Sequence, residues 1–530
     1  MVRGLFQGSI AGIERSHTVK KYPIGIQDFR KIIEGDFLYV DKTKIIYEMI
    51  KGGSYYFLSR PRRFGKSLLL STIKEIFSGS RELFKSLWIE NHWNWDIQYP
   101  IIHVKFSSIN YQALGLYNAI SEDITDMASE LGISLEKTEL KDKFEELIQK
   151  SAAGGKVVIL IDEYDKPIID YLDEPNVASE NRAVLKQFYS VIKDADQYIQ
   201  FLFITGVSKF AKVSIFSDLN NLEDMTLHPS FNDIAGITQA EVDNYFSADI
   251  SAIADILKTD AVTLSADVKK WYNGYNWGGD TNLYNPFSLL SFVKSQQFNN
   301  YWFTTGTPTF LVELIRDKGK FILDEQEYTS LLSLSEFDFI NLDYKTILFQ
   351  TGYLTISEIN FPEGWCRLRY PNKEVKDSLH QFLIAAYRRT TTGESLPLVL
   401  QLRNAFENKD IEQIITLINS AFATIPSDLW KNATELHYHA LVHLTFTLLG
   451  SYIQSEVNSA IGRCDAVVKT RNYIYALEFK LDETAEIALQ QIKDKAYLAP
   501  YGHLPQQKIG IGINFSSADK KVGAYLLQEM

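Results

Sequence analysis

Ser54-Tyr55-Tyr56-Phe57-Leu58-Ser59-Arg60-Pro61-Arg62-Arg63-Phe64-Gly65-Lys66-Ser67-Leu68-Leu69-Leu70 is the stretch on which the reading of the fold turns. It opens with a solid apolar run, as expected of a strand buried on both faces. A basic loop follows, and then Gly-Lys-Ser runs into the leucines of a helix. Strand, Gly-Lys-Ser and helix in that order make a P-loop. Amides at a helix N-terminus cradle phosphate oxygens. Arg62, Arg63, Phe64 and Gly65 are therefore read as the phosphate loop, Lys66 as the cation for the β and γ phosphates, and Ser67 as a Mg²⁺ ligand. The consensus has Gly where Arg60 stands, and Pro61 with three arginines predicts a stiff, basic loop.

A second signal lies downstream in Val157-Val158-Ile159-Leu160-Ile161-Asp162-Glu163, an apolar strand ending in two acids. This is the Walker B arrangement. Asp162 is expected to hold Mg²⁺, and Glu163 to polarise the attacking water as a general base. One strand, 101–106, falls between the two motifs in sequence. That suits ATPases with an extra strand and a catalytic glutamate. The next strand ends in Thr205-Gly206-Val207-Ser208-Lys209, where Ser208 or Thr205 is placed to sense the γ-phosphate. The cofactors implied are ATP and Mg²⁺.

Outward from these motifs, strands at 54–58, 101–106, 157–161 and 199–204 alternate with helices such as 67–77 and 140–153. That pattern predicts an α/β layer with a parallel sheet. Residues 238–336 read as mainly helical, interrupted by the turn-rich Tyr272-Asn273-Gly274-Tyr275-Asn276-Trp277-Gly278-Gly279. A short helix at 344–350, a break at Gly352, and strands 353–356 and 366–370 then have the order of a winged-helix unit. The last part reads as helices followed by strands 466–469 and 474–479, a helix 485–497 and a strand 508–514.

Near the C-terminus, Gly462-Arg463-Cys464-Asp465 precedes a strand ending in Leu477-Glu478-Phe479-Lys480. Alternation along a strand puts Glu478 and Lys480 on one face. Asp465 and Glu478 offer Mg²⁺ hard oxygen ligands, and Lys480 is placed to orient water or steady phosphate charge. A cation there polarises a phosphoryl oxygen. Glu456 is a candidate extra acid, while Gln491, Lys495 and Tyr497 on the following helix are candidates to face the site. Asp465, Glu478 and Lys480 are thus the expected catalytic set. The expected metal ligands are Glu456, Asp465 and Glu478 here and Ser67 and Asp162 in the first site.

These segments resemble those of the bacterial AAA-ATPase-like proteins whose C-termini carry a PD-(D/E)xK nuclease-superfamily domain. The likeness rests on Tyr22-Pro23-Ile24-Gly25, Tyr39-Val40-Asp41-Lys42-Thr43, the Arg60–Ser67 loop, Leu160-Ile161-Asp162-Glu163-Tyr164-Asp165, Thr205-Gly206-Val207-Ser208-Lys209, Trp271-Tyr272-Asn273-Gly274-Tyr275 and Gln350-Thr351-Gly352-Tyr353-Leu354. It spans nearly all of the chain after residue 20, and it makes Arg60 look like a family trait. It implies an α/β chain: an AAA/ASCE-like P-loop NTPase domain (21–236), a helical lid and winged-helix-like region (237–370), and a helical connector with a restriction-endonuclease-like α/β domain (371–530). Residues 1–20 are read as a flexible tail without a signal-peptide core.

The bulk numbers set bounds. With 530 residues, 45% hydrophobic and 23% charged, the chain has an ordinary globular composition. No uninterrupted apolar run is long enough to predict a membrane span. Two cysteines, Cys366 and Cys464, give no disulfide framework and fit a cytoplasmic setting. The net charge of −12 argues against broad nonspecific nucleic-acid binding, though not against a local basic groove. His437, His439 and His443 lack the zinc-protease pattern and read as a packed helix face. The aromatic 271–277 stretch reads more readily as a packed turn than as a base-stacking platform. The function expected is ATP binding and hydrolysis controlling a Mg²⁺-dependent nuclease that acts on DNA. The alternative is an ATP-operated switch whose nuclease-like domain grips nucleic acid or a partner without cutting. A homo-oligomer stays open.

Overall fold

The computed structural model describes residues 20–209, 216, 219, 221–303, 323, 327–334, 343–388, 391–423, 435–450, 454–456 and 464–530. The expected tail lies almost wholly outside the described residues.

Five parallel strands form the first sheet: β1 (Tyr55–Ser59), β2 (Ile101–Lys105), β3 (Val157–Asp162), β4 (Ile199–Gly206) and β5 (Glu223–Asp224). Their spatial order is β2-β3-β4-β1-β5. The strand lying between the P-loop strand and the acidic strand is therefore β4, while β2, which separates them in sequence, is at the edge. Register sets Ser59 beside Gly206 and Lys105 beside Asp162. The loops after β1, β3 and β4 thus emerge together at the carboxyl edge, where open α/β sheets bind ligands.

Successive side chains of β1 and β3 point to opposite faces, and both faces are covered, which explains their apolar runs. Phe57, Ile159 and Ile161 enter one core with helices Leu116–Glu130, Leu140–Ser151 and Pro175–Asp194. Tyr56, Leu58, Val158 and Leu160 enter the opposite core with helices Thr43–Gly52 and Lys66–Phe77.

The middle of the chain starts with β6 (Ile237–Thr238), which pairs with β7 (Leu283–Tyr284). A capping box between Thr238 and Glu241 starts helix Gln239–Tyr245. Helices Ser247–Leu257, Ala261–Tyr272 and Pro286–Ser295 close a core of their own. The aromatic turn is packed, with Tyr272, Tyr275 and Trp277 buried.

Next come β8 (Tyr328–Ser330), helix Tyr344–Thr351, β9 (Thr355–Asn360) and β10 (Trp365–Arg369), the strands joined in the order β8-β10-β9. The strand β8 is a short interruption of a region expected to be mainly helical, whose described residues are mostly so. Three residues carry no readable period, and only pairing with β10 makes them a strand.

In the last part, helices Lys373–Arg388, Thr392–Glu407, Ile411–Ala423 and Glu435–Leu449 precede and pack on a second five-stranded sheet. Its strands are β11 (Gln454–Glu456), β12 (Ala466–Lys469), β13 (Tyr473–Leu481), β14 (Gln507–Ser516) and β15 (Lys521–Glu529), in chain order across the sheet. Helix Ala485–Asp494 connects β13 to the parallel β14. One continuous apolar core runs from Phe64 of the P-loop through Tyr275, Trp302 and Tyr353 to Tyr475 and Leu477 of this sheet. Among the described residues no helix is long and apolar enough to cross a membrane.

Candidate functional site

The P-loop begins with a buried cation. Arg60, fully buried, donates through Nη1 to the carbonyls of Ser59 and Thr226, each at 2.9 Å, and through Nη2 to those of Phe231 (3.4 Å) and Asn232 (3.3 Å). Its guanidinium lies 4.3 Å from the centre of the Trp277 ring. Burial lowers its pKa to about 9, against the pull of Asp224 and Asp233. Arg60 is thus a strut beneath the loop, which accounts for a large side chain where the consensus has Gly.

Phe64 differs from its expected role. Its ring is fully buried edge-on to Tyr275 and Trp277, with centroids 4.8 and 5.0 Å away. Only its backbone remains for phosphate contact, because the apolar ring gains more from burial. Two further contacts hold the loop from the far side. Trp302 Nε1 donates to the Arg62 carbonyl at 3.0 Å, and Gly352 lies against Pro61.

Lys66 starts the helix after Gly65, which sits at φ 91 with open space where a Cβ would stand. The Lys66 ammonium is buried and donates to the carbonyls of Arg60 (2.8 Å) and Pro61 (3.0 Å). Burial lowers its pKa, opposed by the charges of Asp162, Glu163 and Asp165. Asp162 accepts from Thr205 Oγ1 at 2.7 Å. Glu163 holds a left-handed backbone at φ 54, a strained state seen where the surroundings enforce it. Its pKa is raised, first by burial and then by Asp162.

Ser208 donates its hydroxyl to Asp165 at 2.6 Å and is buried. It is therefore committed to a carboxylate rather than turned toward a phosphate position. Asp165, missed in the sequence reading, is the acid that engages it.

A cavity of about 340 Å³ opens over this cluster, within the range of small-molecule sites. Arg62, Arg63, Gly65, Lys66, Ser67, Glu163 and Asp165 line it. Opposite stand Pro23 to Gln27 on one wall and Pro286, Phe287 and Leu290 on another. The Arg63 guanidinium lies 5.0 Å from the centre of the Phe287 ring. The hydrophobic wall carried no chemical signal in the sequence. Amides, two exposed arginines, Lys66 and paired carboxylates suit a polyphosphate with a divalent cation.

At the C-terminus, Asp465 immediately precedes β12 and accepts from the Phe479 amide at 2.7 Å. Glu478 on β13 is buried, and its pKa rises to about 7, mainly from burial and then from Asp465. Lys480 Nζ stands 3.4 Å from Glu478 Oε1. Gln491 Nε2 donates to that same oxygen and to the Tyr497 hydroxyl. Glu478 Oε2 is buried without a hydrogen-bond partner. A hard cation fits this set, since Mg²⁺ takes one or two carboxylates and completes its shell with water and phosphate. Among the described residues no trio of His, Cys, Asp or Glu is gathered as a metal cluster.

Glu456 ends β11 opposite Val467, and its side chain lies outside the described residues, as do those of His437 and His439. His443 is held neutral, its pKa lowered to about 4 by burial. Lys495 is the exposed C-cap of a helix that ends at Asp494, earlier than the sequence pattern suggests.

Residues 23–216 match the family model described as "Predicted AAA-ATPase". Residues 433–524 match the one described as "PD-(D/E)XK nuclease superfamily". The fold and the two carboxylate–cation clusters thus define a P-loop, AAA-ATPase-like protein that ends in a nuclease-superfamily domain. An "Uncharacterized protein in vnfD 5'region" of Azotobacter chroococcum mcd 1 is 39% identical over 531 residues, covering 96% of this chain and 99% of that one. The chain belongs to this family of AAA-ATPase-like proteins with a C-terminal PD-(D/E)XK domain. No solved structure matches it.

Proposed function

We propose that the protein binds and hydrolyses ATP in the cytoplasm, and that its nucleotide state controls a Mg²⁺-dependent nuclease module acting on DNA. The observation that carries this reading is a pair of lysine–carboxylate clusters, Lys66–Asp162–Glu163 and Asp465–Glu478–Lys480, whose neighbours Phe64 and Phe479 belong to one apolar core.

In the first cluster Lys66 exchanges its two carbonyl partners for the β and γ phosphates, and Ser67 and Asp162 hold Mg²⁺. Glu163, made more basic by burial, takes the proton of the attacking water. In the second, Asp465 and Glu478 hold the cation, with Glu456 as a candidate third ligand, and Lys480 moves from Glu478 to the substrate phosphate. A divalent cation supplies Lewis-acid polarisation of the phosphoryl group at both places. Domain limits at 21–236, 237–370 and 371–530 serve as the working division for truncations.

The test is nicking of supercoiled plasmid with Mg²⁺ by the full chain and by Asp465→Ala. Loss of nicking in the variant supports the assignment, and unchanged nicking removes it. DNA binding with no cutting in either protein would favour the nucleotide-operated switch.

A further inference from the structure

The loop after β4 is gripped from both sides. Asp165 is almost fully buried and accepts from the amides of Val207 (3.0 Å) and Ser208 (2.6 Å) as well as from the Ser208 hydroxyl. The next amide, that of Lys209, donates to Gln350 Oε1 at 3.2 Å. Gln350 is itself buried, on helix Tyr344–Thr351 of the region expected to be winged-helix-like, and its Nε2 donates to the Leu334 carbonyl at 2.9 Å. Three successive amides are thus committed to two side chains.

The same loop closes on the acidic turn. The Tyr164 hydroxyl donates to the Ser208 carbonyl at 2.9 Å, and the Tyr164 amide to Thr205 at 3.0 Å. Glu163, with its left-handed backbone, is the residue just before this clamp. A strained conformation persists only when neighbours enforce it, and here the neighbours are Tyr164 and Asp165.

We propose that Asp165 and Gln350 are positioning residues for ATP hydrolysis: they grip opposite ends of loop 207–209, so that the seating of the helix that carries Gln350 sets the placement of Glu163. Charge-assisted bonds from amides to a buried carboxylate are stronger than neutral ones, so Asp165 is the dominant grip and Gln350 the weaker one. Gln350 is not among the residues that line the cavity, so its loss spares nucleotide binding. This inference rests on the ATPase reading above.

The test measures ATP turnover and the affinity for a fluorescent ADP analogue in the full chain. The variants are Asp165→Asn, which removes the charge from the grip while its amide oxygen can still accept, Gln350→Ala, and the double variant. The expected kcat loss is about tenfold or more for Asp165→Asn and about threefold for Gln350→Ala, with the analogue affinity of Gln350→Ala within about twofold of wild type. Because both act through one loop, the double variant is expected to be no slower than Asp165→Asn alone. If Asp165→Asn does not fold, Ser208→Ala replaces it in the cycle, with a smaller loss that again does not multiply with that of Gln350→Ala. Losses that multiply, unchanged turnover in both single variants, or a Gln350→Ala affinity falling in step with its turnover would overturn the proposal. A wild-type chain that binds the analogue without turning over ATP would overturn the ATPase reading and this inference together. An active wild type with silent variants would overturn this inference alone.

Discussion

Gly352 lies against Pro61 of the P-loop at the end of helix Tyr344–Thr351, and substituting it tests that joint. It caps helix Tyr344–Thr351 at φ 92, and an added Cβ would lie 2.6 Å from both Cβ and Cγ of Pro61. Left-handed backbone costs a non-glycine residue about 1–2 kcal/mol. Forcing an extra carbon into a packed contact costs about 1–3 kcal/mol more. Gly364 is the control: it is also left-handed, at φ 73, but an added Cβ there meets nothing within 4 Å. Gly364→Ala should lose only the backbone share. Thermal unfolding followed by circular dichroism should place the Gly352→Ala midpoint about 2 °C or more below that of Gly364→Ala, at roughly 2–4 °C per kcal/mol for a cooperative unit of about 150–250 residues. Because Pro61 must shift, Gly352→Ala should also bind the ADP analogue more weakly, while Gly364→Ala binds it normally. Equal midpoints together with equal affinities would refute the docking of this helix on the P-loop.

Three further outcomes follow from the two sites. Restoring the consensus with Arg60→Gly should destabilise the chain rather than improve nucleotide binding. It strips donors from four carbonyls, each bond to a charged group being worth about 1.5–3 kcal/mol, and a urea melt shows the loss. Glu163→Gln should lower ATP turnover by about 10²-fold or more while leaving analogue binding intact, as measured by phosphate release and fluorescence titration. Glu478, with its pKa raised to about 7, retains a proton that the unfolded chain releases near the ordinary carboxylate value. The stability this confers is present at low pH and declines as pH rises through about 7. The ionised form that binds a cation grows over the same range. Mn²⁺ affinity by calorimetry should therefore be about tenfold weaker at pH 6 than at pH 8, and Glu478→Gln should abolish that dependence.

The parts of the fold that could be read in the sequence are those where local chemistry and tertiary role coincide. β1, β3 and β4 are largely apolar because both faces are covered, so runs such as Val157 to Ile161 identify themselves. The Gly65-Lys66-Ser67 turn and the Asp162-Glu163 pair are legible because phosphate chemistry requires those residue types in that order. What escaped depends on partners distant in sequence. The short β8 and β11 exist through pairing, and β15 lies at a sheet edge with most of its side chains exposed, so no apolar pattern marks it. Arg60 looked like a loop cation, and only the carbonyls of Thr226, Phe231 and Asn232 show it to be a buried strut. Phe64 and Ser208 lie within the expected motifs, yet a ring stack and a carboxylate claim their side chains. Asp165 was quoted within the motif, but its task is defined by amides more than forty residues away.

Control of DNA cutting by nucleotide is the central claim, and a single kinetic comparison tests it most directly. The initial rate at which the full chain nicks supercoiled DNA with Mg²⁺ is measured without nucleotide, with ATP, and with a nonhydrolysable analogue, for wild type and Lys66→Ala. The account predicts that the wild-type rate changes with nucleotide state and that the Lys66→Ala rate does not. A wild-type rate that is the same in all three conditions would contradict it.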